Sequence, residues 1–351
     1  MSQHSDPAPR HLRLKSALLS GLELADGAPV AVLRPRAGER FDPLERAQLH
    51  LQQGFRPDHD AFARSGYAVS PQMPQGCAAA LVCLPRARAA AEGLIAAAAA
   101  AVPGPVLVDG QKTDGIDSIL KALRARVSLS DPVIKGHGKL AWFDADSADL
   151  GDWAAQPLRL SDPDATGFIT LPGIFSADGV DPGSRLLAQA LPAALSGRVV
   201  DLGAGWGYLG AQVLRRAGVK ALHLVEAEHD ALDCARANLH DARVQFHWAD
   251  ARGFTLPKAV DHVVTNPPFH QGRTADPQLG LDFIAAAQRL LAPGGNLWLV
   301  CNRHLPYERA LAERFSRYEV IAQDRGFRCF HASGPRRMIR APRPPDRRHR
   351  A

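Results

Sequence analysis

Arg198-Val199-Val200-Asp201-Leu202-Gly203-Ala204-Gly205-Trp206-Gly207 is the stretch on which the reading of the fold turns. A short apolar run, 198–202, has strand character, and 208–217 has helix character. Between them glycine recurs at 203, 205 and 207. Glycine permits a tight turn with positive φ and removes the side chain that would keep a ligand away from the backbone. The dinucleotide fingerprint GxGxxG would require glycine at 208, where this chain has Tyr208, so nicotinamide binding is disfavoured.

The acids around the turn indicate a different ligand. Asp201 opens it, Glu226 ends the next strand-like run (221–226), and Asp250 follows the one after that (244–249). S-adenosylmethionine has no pyrophosphate to seat, but it carries an ammonium group, a ribose diol and an adenine amine. Asp201 is expected to meet the ammonium, directly or through water. Glu226 is expected to accept from the ribose hydroxyls, and Asp250 from the adenine amine. Glu226 and Asp250 also read as ordinary solvated strand ends. Three successive acidic strand ends behind Gly203, Gly205 and Gly207 favour the cofactor.

A fourth strand-like run, 261–265, leads into Asn266-Pro267-Pro268-Phe269. This tetrapeptide suits a planar amine. An exocyclic base amine is a poor nucleophile because its lone pair is delocalised into the ring, so it must be held in line with the methyl group and given hydrogen-bond acceptors. The Asn266 side-chain oxygen is one acceptor and the Pro267 carbonyl the second. The paired prolines stiffen the loop, and Phe269 offers a face to a base taken out of its stack. Read blandly, an asparagine and two prolines only end a strand. That accounts for the prolines and not for the position of all four residues behind the fourth strand of a cofactor fold. His270 reads equally as a proton acceptor, an RNA contact or a loop brace, and Lys258 and Arg273 as phosphate contacts or solvated charge.

Outward from these motifs, strands and helices alternate. Helices are expected at 229–240, 279–291 and 307–315, a fifth strand at 296–301 after the stop signal Pro293-Gly294-Gly295, and a closing antiparallel pair at 318–323 and 327–331. The fold class is α/β, with a seven-stranded, mostly parallel sheet and ligands beyond the carboxyl ends of its strands. The first half carries a faint copy. Residues 79–85 parallel 262–267, and the apolar strand 105–109 parallels 296–301. In the copy Leu84 takes the place of Asn266, and the strand 30–33 runs into Arg34-Pro35-Arg36-Ala37-Gly38 rather than a glycine turn. Duplication followed by loss of the cofactor site is the expectation. Domains are set at 1–155 (degenerate) and 156–335 (catalytic), joined by a linker at 151–166, with a basic disordered tail at 336–351.

Composition is that of an ordinary soluble globular chain. The alanine-rich run 89–101 is interrupted by Glu92 and Gly93 and stopped by Pro103, which argues a helix and no membrane span. Five cysteines without a CxxC spacing give neither a zinc site nor a disulfide framework, and no metal is expected in a reducing cytoplasm. The tail holds seven arginines and one acid, a surplus equal to the whole chain's net charge of +6. It can serve as a phosphate tether or as a solubilising extension.

Taken together, Thr170-Leu171-Pro172-Gly173-Ile174-Phe175-Ser176, Asp178-Gly179, Gly183-Ser184, the turn 201–207, Asn266-Pro267-Pro268-Phe269-His270-x-Gly272 and, in the first half, Gly115-Ile116-x-Ser118 and His137-Gly138-Lys139 resemble the bacterial small-subunit (16S) ribosomal RNA guanine-N2 methyltransferases. The resemblance implies tandem class I (Rossmann-like) methyltransferase domains, of which only the second binds S-adenosylmethionine. It implies transfer to N2 of one guanosine, with ribosomal RNA or the small subunit as partner and a monomer as the working form. Asn266, Pro267, Pro268 and Phe269 would form the target-base site, and Phe175 and Ser176 would lie over the cofactor pocket. The basic tail is not part of the family pattern. The competing expectations are an adenine-N6 or protein-glutamine methyltransferase, which share the tetrapeptide, and a non-catalytic RNA-binding ribosome-assembly protein.

Overall fold

The computed structural model describes residues 9–268, 270–271, 274–275 and 277–336. Phe269, Gly272, Arg273 and nearly all of the arginine-rich tail therefore lie outside the described residues.

Two seven-stranded sheets follow one another along the chain. The first comprises β1 (Val30–Leu33), β2 (Leu49–Gln52), β3 (Ala68–Ser70), β4 (Ala79–Cys83), β5 (Pro105–Gln111), β6 (Val133–Lys135) and β7 (Gly138–Asp144), in spatial order β3-β2-β1-β4-β5-β7-β6. The second comprises β8 (Gly197–Leu202), β9 (Val219–Glu226), β10 (Val244–Trp248), β11 (Val260–Thr265), β12 (Leu291–Asn302), β13 (Phe315–Gln323) and β14 (Phe327–Pro335), in spatial order β10-β9-β8-β11-β12-β14-β13. Renumbered from its own start, the second order is the first repeated. In each sheet five strands run parallel, and the pair at one edge is antiparallel.

The central strands are apolar on both faces because helices cover both. β1 and β4 are buried at every residue. In the second sheet alternate residues serve opposite cores. Val199, Leu222, Leu224 and Val264 face one side, and Val200, Leu202, Val225 and Val263 the other. Continuous hydrophobic runs are what a doubly covered parallel sheet demands. The helices used below are α1 (Arg10–Leu19), α2 (Arg56–Arg64), α3 (Arg88–Ala101), α4 (Ile116–Arg124), α5 (Pro182–Ala190), α6 (Tyr208–Leu214), α7 (His229–Asn238), α8 (Pro277–Leu290) and α9 (Glu308–Arg314). The expected elements of the second half are present, with ends displaced by a few residues. The larger difference is at Pro293-Gly294-Gly295, expected as a stop between helix and strand. β12 already begins at Leu291, and its register against β11 jumps from Val260↔Leu291 to His262↔Asn296. The three residues bulge out of the ladder, which accommodates a proline that has no N–H to give.

Register also corrects the alignment of the two halves. Leu33 pairs with Val82, and Leu202 pairs with Thr265. The residue after each strand end donates across the sheet in the same way, Arg34 N to Gln52 O at 2.8 Å and Gly203 N to Val225 O at 2.9 Å. Both adopt left-handed backbone, φ 56° at Arg34 and 74° at Gly203. Cys83 therefore takes the place of Asn266, one residue before the Leu84 expected from aligning prolines. Strand register, which the sequence does not display, decides the match.

At the carboxyl ends of β1, β4 and β5 the first sheet carries a buried ion cluster. Arg13 grips Asp109 with Nε at 2.6 Å and Nη2 at 2.8 Å, and Arg10 Nε reaches the same carboxylate at 2.7 Å. Arg10 also pairs with Glu39. These groups, supplied by α1 and by the loop after β1, occupy the end of the sheet that carries the glycine turn in the second.

The chain crosses between cores inside the segment expected as linker. Trp153 is buried in the first, and Leu160 and Ala165 in the second. The segment is partly structured: residues 158–159 form a short antiparallel pair with 169–170.

Candidate active site

The turn after β8 is held open by backbone geometry. Gly203, Gly205 and Gly207 all have positive φ, at 74°, 54° and 95°. A Cβ on Gly205 would meet nothing within 4 Å, so that position faces free space. A Cβ on Gly207 would press on Leu239 at 3.0 Å and Ala235 at 3.4 Å, so that glycine instead lets α7 pack under the turn.

Glu226, the last residue of β9, binds the turn from behind. Its Oε2 accepts from Gly205 N and its Oε1 from Glu228 N, both at 2.8 Å. Burial raises its pKa above the ordinary carboxylate range. Asp201 is fully buried in β8, and neither side-chain oxygen has a hydrogen-bond partner. Burial first, and the Glu226 charge second, push the Asp201 carboxyl up to about 7. A fully buried carboxylate without a partner, Asp201, next to a second, half-buried one, Glu226, is costly unless something positive joins them. An ammonium-bearing ligand such as S-adenosylmethionine fits that donor set. Asp250 differs from expectation, because its carboxylate is clasped by its neighbour Arg252, with Nε at 3.0 Å and Nη2 at 2.7 Å. For Asp250 to accept from an adenine amine, Arg252 has to turn aside.

Asn266 stands at the carboxyl end of β11, beside the turn. Thr265 Oγ1 donates to Leu202 O at 2.7 Å and ties the two strand ends together. The Asn266 amide nitrogen donates to Asp181 Oδ2 at 2.9 Å and to Ser184 Oγ at 2.8 Å. Its Oδ1 is buried and has no partner. Pro267 is buried and Pro268 exposed. Nothing is described of Phe269 or of the His270 side chain. Phe175, Ser176, Asp181, Gly203, Gly205 and Asn266 all line one crevice.

The segment over that crevice is built from a second pair of left-handed residues, Gly173 (φ 95°) and Ser176 (φ 54°). Trp206 Nε1, from the glycine turn, donates to Ser176 O at 3.2 Å, and Ser176 Oγ donates to Gly179 O at 2.8 Å. Phe175 is left 56% exposed at the rim, which is unusual for a phenylalanine. A non-glycine residue in the left-handed region is strained and persists where its surroundings hold it.

Sequence reading passed over three parts of the site. Asp181 was not singled out, although Asp181-Pro182-x-Ser184 is a helix-start signal, and Asp181 Oδ2 caps α5 by accepting from Ser184 N at 2.8 Å. Trp206 was read only as a spacer between glycines. The contribution of the first half was invisible. Arg34 clasps Glu228, Nη1 to Oε1 at 2.7 Å and Nη2 to Oε2 at 2.8 Å. Arg56 N donates to Ala227 O at 2.8 Å, and Gly54 O accepts from His229 N at 2.9 Å and from Trp248 Nε1 at 3.0 Å. The loop that carries Glu226 is thus braced by the first sheet's loops, and no local pattern signals a contact across some two hundred residues. Among the described residues no group of three or more His, Cys, Asp or Glu is placed to hold a metal ion, and no helix is long and apolar enough to cross a membrane.

A family model described as Methyltransferase small domain matches residues 165–331. A ribosomal RNA small subunit methyltransferase C of Pseudomonas aeruginosa is 32% identical over 329 residues, covering 92% of this chain and 96% of its own length. The protein of that name from Escherichia coli is 37% identical over 191 residues, covering 54% of this chain and 53% of its own length. Among solved structures, the T. thermophilus 16S rRNA N2 G1207 methyltransferase, in complex with AdoMet and guanosine, superposes with a TM-score of 0.74 at 25% identity, covering 93% of this chain and 91% of that one.

Proposed function

The chain belongs to the ribosomal RNA small subunit methyltransferase C family, and from that premise we propose that it methylates N2 of a guanosine in small-subunit ribosomal RNA with S-adenosylmethionine as methyl donor. The observation that carries the reading is Asn266, whose amide nitrogen is engaged and whose Oδ1 is a buried acceptor without a partner, in one crevice with the glycine turn. A free acceptor beside the glycine turn suits a nucleophile that carries donor hydrogens, as an amine does, and not a carbon nucleophile.

When bound, S-adenosylmethionine would supply an electrophilic methyl group for the guanine N2 lone pair, with its neutral thioether as the leaving group. The turn 203–207 would hold the donor, Asp201 would meet its ammonium group, Glu226 its ribose hydroxyls and Asp250 its adenine amine. Asn266 Oδ1 and the Pro267 carbonyl accept the two N2 hydrogens and hold the nitrogen in line. Little reorganisation is needed, because the Asn266 amide is held by Asp181 and Ser184 and Pro267 is buried. Pro268 stiffens the loop, and Phe269 is assigned the face of the swung-out base. The methylated nitrogen is acidic and loses its extra proton to solvent, so no strong base is required.

The division into a supporting first domain, 1–155, and a catalytic second domain, 156–335, is part of this proposal. So is a monomer acting in the cytoplasm, where its RNA substrate is. The test is direct. Purified protein and labelled S-adenosylmethionine are given small-subunit particles from cells that lack the enzyme, and the nucleosides are resolved by mass spectrometry. N2-methylguanosine is expected. N6-methyladenosine, or label in protein, would overturn the guanine reading.

A further inference from the structure

We propose that Asp181 and Ser184, in the first turn of α5, are positioning residues that fix which end of the Asn266 amide faces the substrate. This rests on the reading above, in which Asn266 receives the guanine amine.

An asparagine amide is nearly symmetric in shape and opposite in chemistry at its two ends: the nitrogen only donates and the oxygen only accepts. Rotated by half a turn, Asn266 would present N–H groups to an amine that itself donates, and the in-line contact would become a clash of donors. A rigid backbone does not prevent that rotation; a partner of fixed polarity does. Asp181 is such a partner, because a carboxylate accepts and does not donate. Its Oδ2 lies 2.9 Å from Asn266 Nδ2, and Ser184 Oγ lies 2.8 Å from the same nitrogen. Both amide hydrogens are therefore consumed, and Oδ1 is left over as a buried acceptor. A buried acceptor without a partner costs free energy and calls for an explanation. Here it is the acceptor that the reaction uses. Donation from the amide nitrogen to an anionic partner also polarises the amide and strengthens its oxygen as an acceptor.

The pair is itself held rigidly. Asp181 Oδ2 caps α5 through Ser184 N at 2.8 Å, and both residues are locked by the helix start. Gly183 is required between them, since a Cβ there would meet Phe327 at 2.7 Å and Asp181 Oδ2 at 3.1 Å. The Asp-Pro-Gly-Ser sequence at 181–184 thus does two jobs, ending a loop and setting the polarity of a group 82 to 85 residues away.

The test compares four full-length variants with the parent chain. Asp181→Ala should lower kcat about 10- to 100-fold, the scale at which misplacing a reacting contact is felt. KM for the small-subunit particle and the Kd for S-adenosylmethionine should stay within about threefold, because the lost interaction acts at the reacting nitrogen. Asp181→Asn keeps the shape and a capping oxygen, but its amide can also donate and carries no charge, so it should keep the melting temperature of the parent while recovering little of the rate. Ser184→Ala should cost a smaller factor, and Ser184→Thr should restore it. With asparagine side-chain amides labelled with nitrogen-15, the Asn266 NH2 signal should exchange slowly with solvent in the parent and rapidly in Asp181→Ala. A purely structural role would move Kd, KM and melting temperature together in Asp181→Ala and let the cap-keeping Asp181→Asn restore the rate; that result overturns the proposal. So does an unchanged kcat in Asp181→Ala when the parent forms N2-methylguanosine. A parent chain that forms no N2-methylguanosine defeats the functional reading instead, so the two failures are distinguishable.

Discussion

At the residue scale, two side chains carry predictions of opposite kind. Sequence reading counts Asn266 with both the target-base and the cofactor-binding residues; on the function proposed it meets the reacting amine and not the donor. Asn266→Ala should therefore lower kcat by at least about 100-fold while S-adenosylmethionine affinity, read by calorimetry, changes little, the pattern of an interaction made in the transition state. Equal loss of donor binding would mean that the residue serves the cofactor. Asp201 should behave the other way. Its folded-state carboxyl sits at about 7, against an ordinary 3.8, because of burial and then Glu226. Between those values the folded chain holds a proton that the unfolded chain has released. Its contribution to stability is therefore present at low pH and is lost as pH rises through the folded value. The melting temperature of the ligand-free protein should fall between about pH 4 and pH 7 more steeply in the parent than in Asp201→Asn. A cation seated beside Asp201 favours the ionised form. Binding should then release a proton and tighten with rising pH, and Asp201→Asn should weaken it about tenfold or more and flatten that pH dependence. Calorimetry in buffers of different ionisation enthalpy measures the released proton.

At the element scale, the loop after β1 and the loop between β9 and α7 form one unit. Arg34 keeps the left-handed backbone of the glycine it stands for, and its side chain crosses to Glu228. Glu228 N in turn holds Glu226 Oε1. The loop of the first sheet that stands where the second has its glycine turn thereby braces Glu226. Arg34→Ala should weaken S-adenosylmethionine binding several-fold and lower the melting temperature only by about 2–4 °C, because a partly exposed pair contributes about 1 kcal/mol. Unchanged donor affinity would show that the brace does not reach Glu226. The β12 bulge makes a related point about elements. Pro293-Gly294-Gly295 reads as a stop because proline and glycine weaken both helix and strand, yet β11 offers enough partners on either side for the strand to run through the interruption.

At the scale of the whole molecule, one topology serves twice, and the same sheet end is filled differently each time. In the second half it is a glycine turn under a crevice, and in the first a cluster of two arginines and two acids. Asp109 is fully buried and answers both Arg10 and Arg13. Asp109→Ala leaves Arg13 without a carboxylate and Arg10 with Glu39 alone in the interior, and should cost about 3–5 kcal/mol in thermal or denaturant unfolding. A change below about 1 kcal/mol would mean that water enters and solvates the cluster. The sequence by itself determined the α/β class, the repeat, the glycine turn and the Asn-Pro-Pro motif, because strand periodicity, positive-φ glycines and fixed-φ prolines are local properties of the chain. Tertiary structure alone decided that Cys83 stands where Asn266 does, that Arg34 meets Glu228, that Arg252 covers Asp250, and that Asp181 and Ser184 turn the Asn266 amide. Each of these depends on register or on distances between residues far apart in the chain, and nothing in a linear string records which side chains a fold will bring within hydrogen-bond reach.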